Sequence, residues 1–235
     1  FEVRQAPELH PGPGEVVTKN MVCGVCGTDV HIFHGEPGSA DVNPPVVLGH
    51  EYSGEVVEVG EGVTALKPGD HVTVDPNIYC GECVYCRNGK KQLCETMQAV
   101  GVTRDGGFGE YSLVPAAQAF QLGDSVPYEA GAMAEPVACC LHGIDLAGIK
   151  AGDRVCIVGG GAIGLIMLQL AKLSGASSLV LSEPNEKRRQ VALSLGADAA
   201  IDPTAPDAGS AYEAALGDGA DVVIECVGNN AAVKS

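Results

Sequence analysis

Four cysteines crowd into residues 80–94, as Cys80-Gly-Glu-Cys83-Val-Tyr-Cys86 followed after seven residues by Cys94. Thiolates this close in sequence can wrap tetrahedrally around Zn²⁺. Four protein ligands leave no position for water, so the run predicts a structural rather than a catalytic metal site. Ferredoxins share the C-x2-C-x2-C spacing, but their fourth cysteine normally comes three residues later and precedes proline, whereas Cys94 precedes Glu95. The ten cysteines are unevenly spaced, and Phe1-Glu2-Val3-Arg4 lacks the basic-then-apolar pattern of a secretory signal. Metal ligation in a reducing cytoplasm is the expectation, in preference to a disulfide framework.

Of the 235 residues, 46% are hydrophobic and 19% charged, enough to build a core and to exclude wholesale disorder. Lys and Arg total 14 against 30 Asp and Glu, a formal net charge of −16. That balance repels phosphate backbones and anionic lipid, so neither nucleic acid nor a membrane surface is an expected partner. The long uncharged stretch between Arg154 and Lys172 is broken by Gly159, Gly160, Gly161 and Gly164 and contains Gln169, so it predicts no membrane span.

Up to about Tyr128 the chain reads as short strands between Gly and Pro breaks: Pro45–Gly49, Gly54–Gly60 and His71–Asp75, with turn chemistry at Lys67-Pro68-Gly69-Asp70. This half predicts a compact antiparallel β domain. From Arg154 the pattern alternates: strand Arg154–Val158, apolar helix Ala162–Ser174, strand Ser178–Glu183, polar helix Asn185–Leu195, and strands near Asp198–Ile201 and Asp221–Cys226. Alternating β and α units imply a parallel sheet covered on both faces. The boundary is expected near Pro136–Lys150.

A second cluster of chemistry is Cys23-Gly-Val-Cys26-Gly-Thr28-Asp-Val-His31, with Gly49-His50-Glu51-Tyr52-Ser53-Gly54 further on. Alone, Cys23-x-x-Cys26 reads equally as a redox pair and His50 as a core histidine. Together, one Cys, one His and an adjacent carboxylate make a ligand set suited to zinc, and an incomplete protein shell keeps a position for water or substrate. Thr28 and His31 are spaced i, i+3 and share one face of a short helical turn, placing a hydroxyl and an imidazole where a proton could be relayed. A helix-start Thr and a surface His are the plainer reading of the same two residues. Glu135 is the only charged side chain from Gly131 to Leu141, and an acid in such a stretch needs a partner unless it sits at a surface or helix start. Cys23, Cys139, Cys140, Cys156 and Cys226 read as small buried residues. His10, His34, His71 and His142 carry no special reading.

The third motif is Gly159-Gly-Gly161-Ala-Ile163-Gly164. A strand precedes it, a helix follows it, and an acid, Glu183, ends the next strand nineteen residues beyond Gly164. That context predicts a dinucleotide site: glycines let pyrophosphate approach the helix N-terminus, where unpaired N–H groups favour an anion, and Ile163 lines the contact. Glu183 can accept the ribose hydroxyls and repel a 2′-phosphate, favouring NAD over NADP. Lys187, Arg188 and Arg189 argue the other way, since Arg can hold such a phosphate, or else form a solvated helix face.

Gly49-His50-Glu51-x-x-Gly54-x5-Gly60-x-x-Val63, together with Cys26-Gly-Thr28-Asp-x-His31 and the four-Cys lobe, resembles the zinc-dependent medium-chain alcohol dehydrogenases, most of all their sorbitol-type (polyol) and threonine dehydrogenase branches. The resemblance runs over essentially the whole chain. It implies a GroES-like catalytic zinc domain over 1–137, carrying the structural zinc lobe, and a Rossmann NAD-binding domain over 138–235. It implies one structural zinc on Cys80, Cys83, Cys86 and Cys94 and one catalytic zinc on Cys26, His50 and Glu51. Glu135 would be an exchangeable ligand or water partner, Thr28 and His31 the proton relay, and Arg188 a residue packing on the adenosine ribose. The implied reaction is hydride transfer from a secondary alcohol (polyol, sugar alcohol or diol) to NAD. L-threonine 3-dehydrogenase activity is the alternative, and a non-catalytic zinc- and nucleotide-binding protein a third reading, which a proton relay argues against. A Rossmann unit has six strands and only four are found from Arg154 onward, so the chain is expected to be incomplete at its C-terminal end. The full-length protein is expected to form a homo-oligomer.

Overall fold

The computed structural model describes residues 2–36, 40–228 and 232. The chain divides into two compact units, Phe1–Glu135 and Pro136–Ser235.

The first unit contains β1 (Glu15–Cys23), α1 (Gly27–His34), β2 (Tyr52–Val59), β3 (His71–Val74), β4 (Asn77–Ile78), α2 (Val84–Arg87), β5 (Gln98–Ala99), β6 (Tyr111–Pro115), β7 (Ala119–Gln121) and α3 (Tyr128–Ala132). Five of the strands form an antiparallel sheet in the order β6-β1-β2-β3-β7. Val16, Tyr52, Val56, Leu66, Val72, Val74, Val100 and Val114 form its core. Fully burying each Val or Leu contributes about 1.5–3 kcal/mol. The small pair β4 and β5 closes the neck of the segment that carries the four cysteines.

Residues 45–49 do not form the expected strand. Pro44 and Pro45 offer no backbone N–H, and Gly49 has φ +93°, a left-handed geometry that interrupts regular strand backbone. The segment is instead held by a loop: Gly106, Gly107 and Phe108 donate their N–H groups to the carbonyls of Val47, Gly49 and Leu48 at 2.8, 2.7 and 2.9 Å. The expected strands at 54–60 and 71–75 are present as β2 and β3, with ends shifted by one or two residues.

The second unit is built from α4 (Ala134–Ala147, which starts just before it), β8 (Arg154–Val158), α5 (Ala162–Leu173), β9 (Ser178–Ser182), α6 (Glu186–Ser194), β10 (Ala199–Ile201), α7 (Ala208–Leu216) and β11 (Val222–Glu225). All four strands are parallel, in the order β10-β9-β8-β11. That is the strand order 3-2-1-4 of a Rossmann sheet. Val155, Ile157, Leu179 and Leu181 point into one cluster with Ile166, Leu168 and Ala171 of α5, while Cys156 and Val180 point into another with Ala208 and Leu216 of α7. Burial on both faces explains why these strands read as unbroken apolar runs. Arg154 fastens β8 to the start of β11: Nε and Nη2 donate to the two carboxylate oxygens of Asp221, each at 3.1 Å. Cys140 and Cys156 are buried as expected, Cys23 and Cys226 half-buried, and Cys139 is exposed on α4. Cys139 directly precedes Cys140, and adjacent helix positions cannot both face the core. Among the described residues no helix is long and apolar enough to cross a membrane.

Candidate metal centres and dinucleotide turn

The antiparallel register pairs Cys23 at the end of β1 with Tyr52 at the start of β2. Residues just after β1 therefore run beside residues just before β2, and Gly24 N–H donates to the Glu51 carbonyl at 2.7 Å. One ligand atom from each of Cys26, His50 and Glu51 lies within 4.8 Å of the other two. Gly24 makes room for the third: an added Cβ there would stand 2.6 Å from Glu51 Oε2.

Cys26 is the N-cap of α1, with extended backbone at φ −84° and ψ 158°. Its N–H donates to Asp29 Oδ2 at 2.8 Å. Asp29 is the functional candidate that the residue pattern passes over. It is 2% exposed, and its other oxygen, Oδ1, faces His50 Nδ1 at 3.8 Å. Among the described residues both of those buried atoms lack a hydrogen-bond partner. An acid three residues after the N-cap, the acidic half of a capping box, is the one trace it leaves in the sequence. The His50 imidazole is held above its ordinary pKa by its hydrogen bond with Cys26, and further by the charges of Cys26, Asp29 and Glu135, against burial, which lowers it. A thiol, an imidazole and a carboxylate converge in an environment that favours positive charge, and the histidine's second nitrogen is aimed at a carboxylate. That donor set fits zinc. Asp29→Asn is expected to weaken zinc binding at Cys26, His50 and Glu51 about 10- to 100-fold; competition with a chelator measures this, with the four-Cys lobe as internal reference.

Thr28 and His31 both lie on α1, Thr28 half-buried and His31 exposed, with His31 Nε2 3.9 Å from Glu36 Oε2. Among the described residues no hydrogen bond joins the two side chains. Glu135 stands in the first turn of α4, half-buried. Its charge reaches His50, but it is not one of the three residues whose ligand atoms converge.

One ligand atom from each of Cys80, Cys83, Cys86 and Cys94 also lies within 4.8 Å of the others, and all four are free thiols. Cys80 Sγ and Cys86 Sγ are 4.0 Å apart. Four sulfurs at Zn–S distances of about 2.3 Å would stand roughly 3.8 Å apart, so the lobe has the dimensions of a tetrahedral zinc site. Backbone N–H groups of Cys83, Cys86 and Cys80 point at the sulfurs of Cys80, Cys83 and Cys94 at 3.4, 3.5 and 3.3 Å. Backbone donors at Glu82 and Cys83 lower the Cys80 thiol to about 6, while burial pushes Cys86 up to about 12.

In the second unit, β8 runs into Gly159, whose φ of +103° only glycine adopts without strain. At Gly164, in the first turn of α5, an added Cβ would collide with the Gly159 carbonyl oxygen. Gly161 is the N-cap of α5, with nothing within 4 Å of the place a Cβ would occupy, and Ile163 is 39% exposed. The turn thus opens toward an unhindered helix N-terminus, suited to a phosphate. Glu183 follows β9 and is 4% exposed. Arg188 Nη1 stands 3.7 Å from Glu183 Oε2 on an exposed side chain. Arg189 has a structural role, donating to the carbonyls of Glu183 and Pro184 and pairing with Asp202.

Residues 12–124 match the family model for the alcohol dehydrogenase GroES-like domain, and residues 162–235 that for the zinc-binding dehydrogenase. An L-threonine 3-dehydrogenase from Pyrococcus abyssi is 40% identical over 220 residues, covering 93% of this chain and 63% of that protein. A sorbitol dehydrogenase from Halalkalibacterium halodurans is 39% identical over 237 residues, covering 100% of this chain and 68% of that protein. The crystal structure of a protein described as a zinc-binding dehydrogenase from Sinorhizobium meliloti, bound to NADP, superposes with a TM-score of 0.90 at 47% identity, covering 98% of this chain and 67% of that one. The chain spans 63% of the length of the first of these relatives. Its antiparallel unit is the GroES-like domain, its parallel sheet is of the Rossmann type, and the chain belongs to the zinc-dependent medium-chain alcohol dehydrogenase family.

Proposed function

We propose that this chain carries the zinc and nucleotide machinery of an NAD-dependent dehydrogenase that oxidises secondary alcohols of the polyol, sugar-alcohol or diol type. The observation that carries the reading is the convergence of Cys26, His50 and Glu51, with His50 Nδ1 facing Asp29 Oδ1 behind it. In this reading residues 1–137 form the catalytic zinc domain and 138–235 the NAD-binding domain. When bound, zinc would act as a Lewis acid that lowers the pKa of a substrate hydroxyl, and NAD would accept the hydride. Cys26, His50 and Glu51 hold the metal, and Asp29 orients His50. Glu135 serves as exchangeable ligand or water partner. Thr28 takes the substrate hydroxyl proton and His31, being exposed, passes it to solvent. Cys80, Cys83, Cys86 and Cys94 hold a second, structural zinc.

Gly159, Gly161, Ile163 and Gly164 receive the pyrophosphate, and Glu183 and Arg188 meet the adenosine ribose. In this reading NAD is favoured over NADP because the Glu183 carboxylate would repel a 2′-phosphate. The small-molecule alcohol is the partner. The net charge of −16 argues against nucleic acid and anionic membranes as partners; in this reading the enzyme is cytoplasmic and its full-length form a homo-oligomer.

The similarity to an L-threonine 3-dehydrogenase favours a second reading, oxidation of L-threonine at the same site. One assay separates the two: NAD and NADP reduction by the full-length protein against sorbitol, xylitol, 2,3-butanediol and L-threonine, with zinc content measured alongside. The first reading expects two zinc per chain and NAD reduction with a polyol or diol. Turnover with L-threonine alone selects the second reading. No turnover with any of them, and one zinc per chain, overturns both.

A further inference from the structure

Glu183 is a buried carboxylate whose two oxygens hold two separate pieces of chain. Oε2 accepts the N–H of Gly160, in the middle of the glycine-rich turn, at 2.7 Å. Oε1 accepts the N–H of Asn185, the N-cap of α6, at 2.8 Å. The nearest cation, Arg188, is 3.7 Å away, beyond hydrogen-bond range. Backbone donors therefore carry the buried charge, and such charge-assisted bonds are about twice as strong as neutral ones.

The turn has no side chain of its own to hold it. An added Cβ at Gly160 would stand 3.0 Å from Glu183 Cγ and 3.2 Å from Arg188 Cβ, and one at Gly159 would stand 2.7 Å from Val227 Cγ2. The turn is packed from both those directions and open at Gly161. Glu183 grips its backbone at Gly160, and the Cys140 thiol donates to the Ile163 carbonyl further along, at 3.8 Å.

We propose that Glu183 is a positioning residue for the phosphate-binding turn: by accepting the Gly160 N–H it keeps the N-terminus of α5 open to pyrophosphate, independently of any contact with a ribose. This rests on the dinucleotide reading above. A residue that only reads ribose hydroxyls would leave the turn unchanged when removed, and a positioning residue would not.

The test uses the full-length protein and has two arms. Without nucleotide, Glu183→Ala is expected to speed amide hydrogen exchange at Gly160 by about tenfold or more, with Leu181 in β9 unchanged. Glu183→Gln, which keeps one acceptor oxygen, recovers part of the protection, and it replaces the alanine variant if that one fails to fold. In the second arm, fluorescence titration compares NADH with an NADH analogue whose adenosine ribose lacks its 2′ and 3′ hydroxyls. Glu183→Ala is expected to weaken both by a similar factor, about tenfold or more. Unchanged exchange at Gly160, or a loss confined to NADH with the analogue unaffected, overturns the proposal. If wild-type protein binds neither dinucleotide, the nucleotide reading fails, and the exchange arm still decides whether Glu183 holds the turn.

Discussion

Replacing Cys26 with serine is expected to lower alcohol-dependent NADH formation by about a thousandfold or more and to leave NADH binding measurable. A serine hydroxyl stays protonated at neutral pH and is a poor zinc ligand, so only His50 and Glu51 would remain of the converging three. Binding of the nucleotide survives because the glycine-rich turn, Gly159–Gly164, belongs to the other compact unit. Zinc content should fall from two per chain to one. Steady-state kinetics, a fluorescence titration and metal analysis on one preparation check all of this. Retained turnover in the serine variant would discard the catalytic zinc.

Cys86→Ser is the second substitution with a large expected effect, on stability rather than on chemistry. Across residues 79–97 Cys86 is the only buried residue, so hydrophobic burial cannot hold this segment together. The metal would be its core. Binding zinc requires the thiolate form of all four cysteines. Backbone N–H donors poise Cys80 for it near 6, whereas burial holds the Cys86 thiol near 12, so its proton leaves to solvent only when the ion takes its place. Removing that ligand is expected to release one zinc per chain, to open the segment to proteolysis, and to lower the midpoint of thermal unfolding by about 10 °C. An unchanged metal count and an unchanged midpoint would show that the four cysteines stabilise the segment without an ion.

The parallel unit was the most legible part of the chain. Arg154–Val158 and Ser178–Ser182 are buried on both faces, so their apolar runs stand out, and the glycine-rich turn between strand and helix admits few other readings. The four-Cys lobe was legible for a different reason: its ligands are local in sequence. Residues 45–49 misled, because their apolar composition reads as a strand while Pro44, Pro45 and the left-handed Gly49 direct the backbone to a loop instead. The importance of Asp29 is three-dimensional. Only the β1–β2 register brings His50 alongside α1 and leaves Oδ1 and Nδ1 facing one another. The ties from Glu183 to Gly160 and Asn185 were equally hidden, since a motif specifies which residue ends the strand and not what its oxygens hold.

The most direct measurement is an anomalous difference map collected at the zinc edge from crystals of the full-length protein. The account predicts two peaks per chain. One should lie about 2.3 Å from each of the sulfurs of Cys80, Cys83, Cys86 and Cys94, and the other about 2.0–2.3 Å from Cys26 Sγ, a His50 ring nitrogen and a carboxylate oxygen. A single peak at the four-Cys lobe, in protein that still oxidises alcohols, would contradict it.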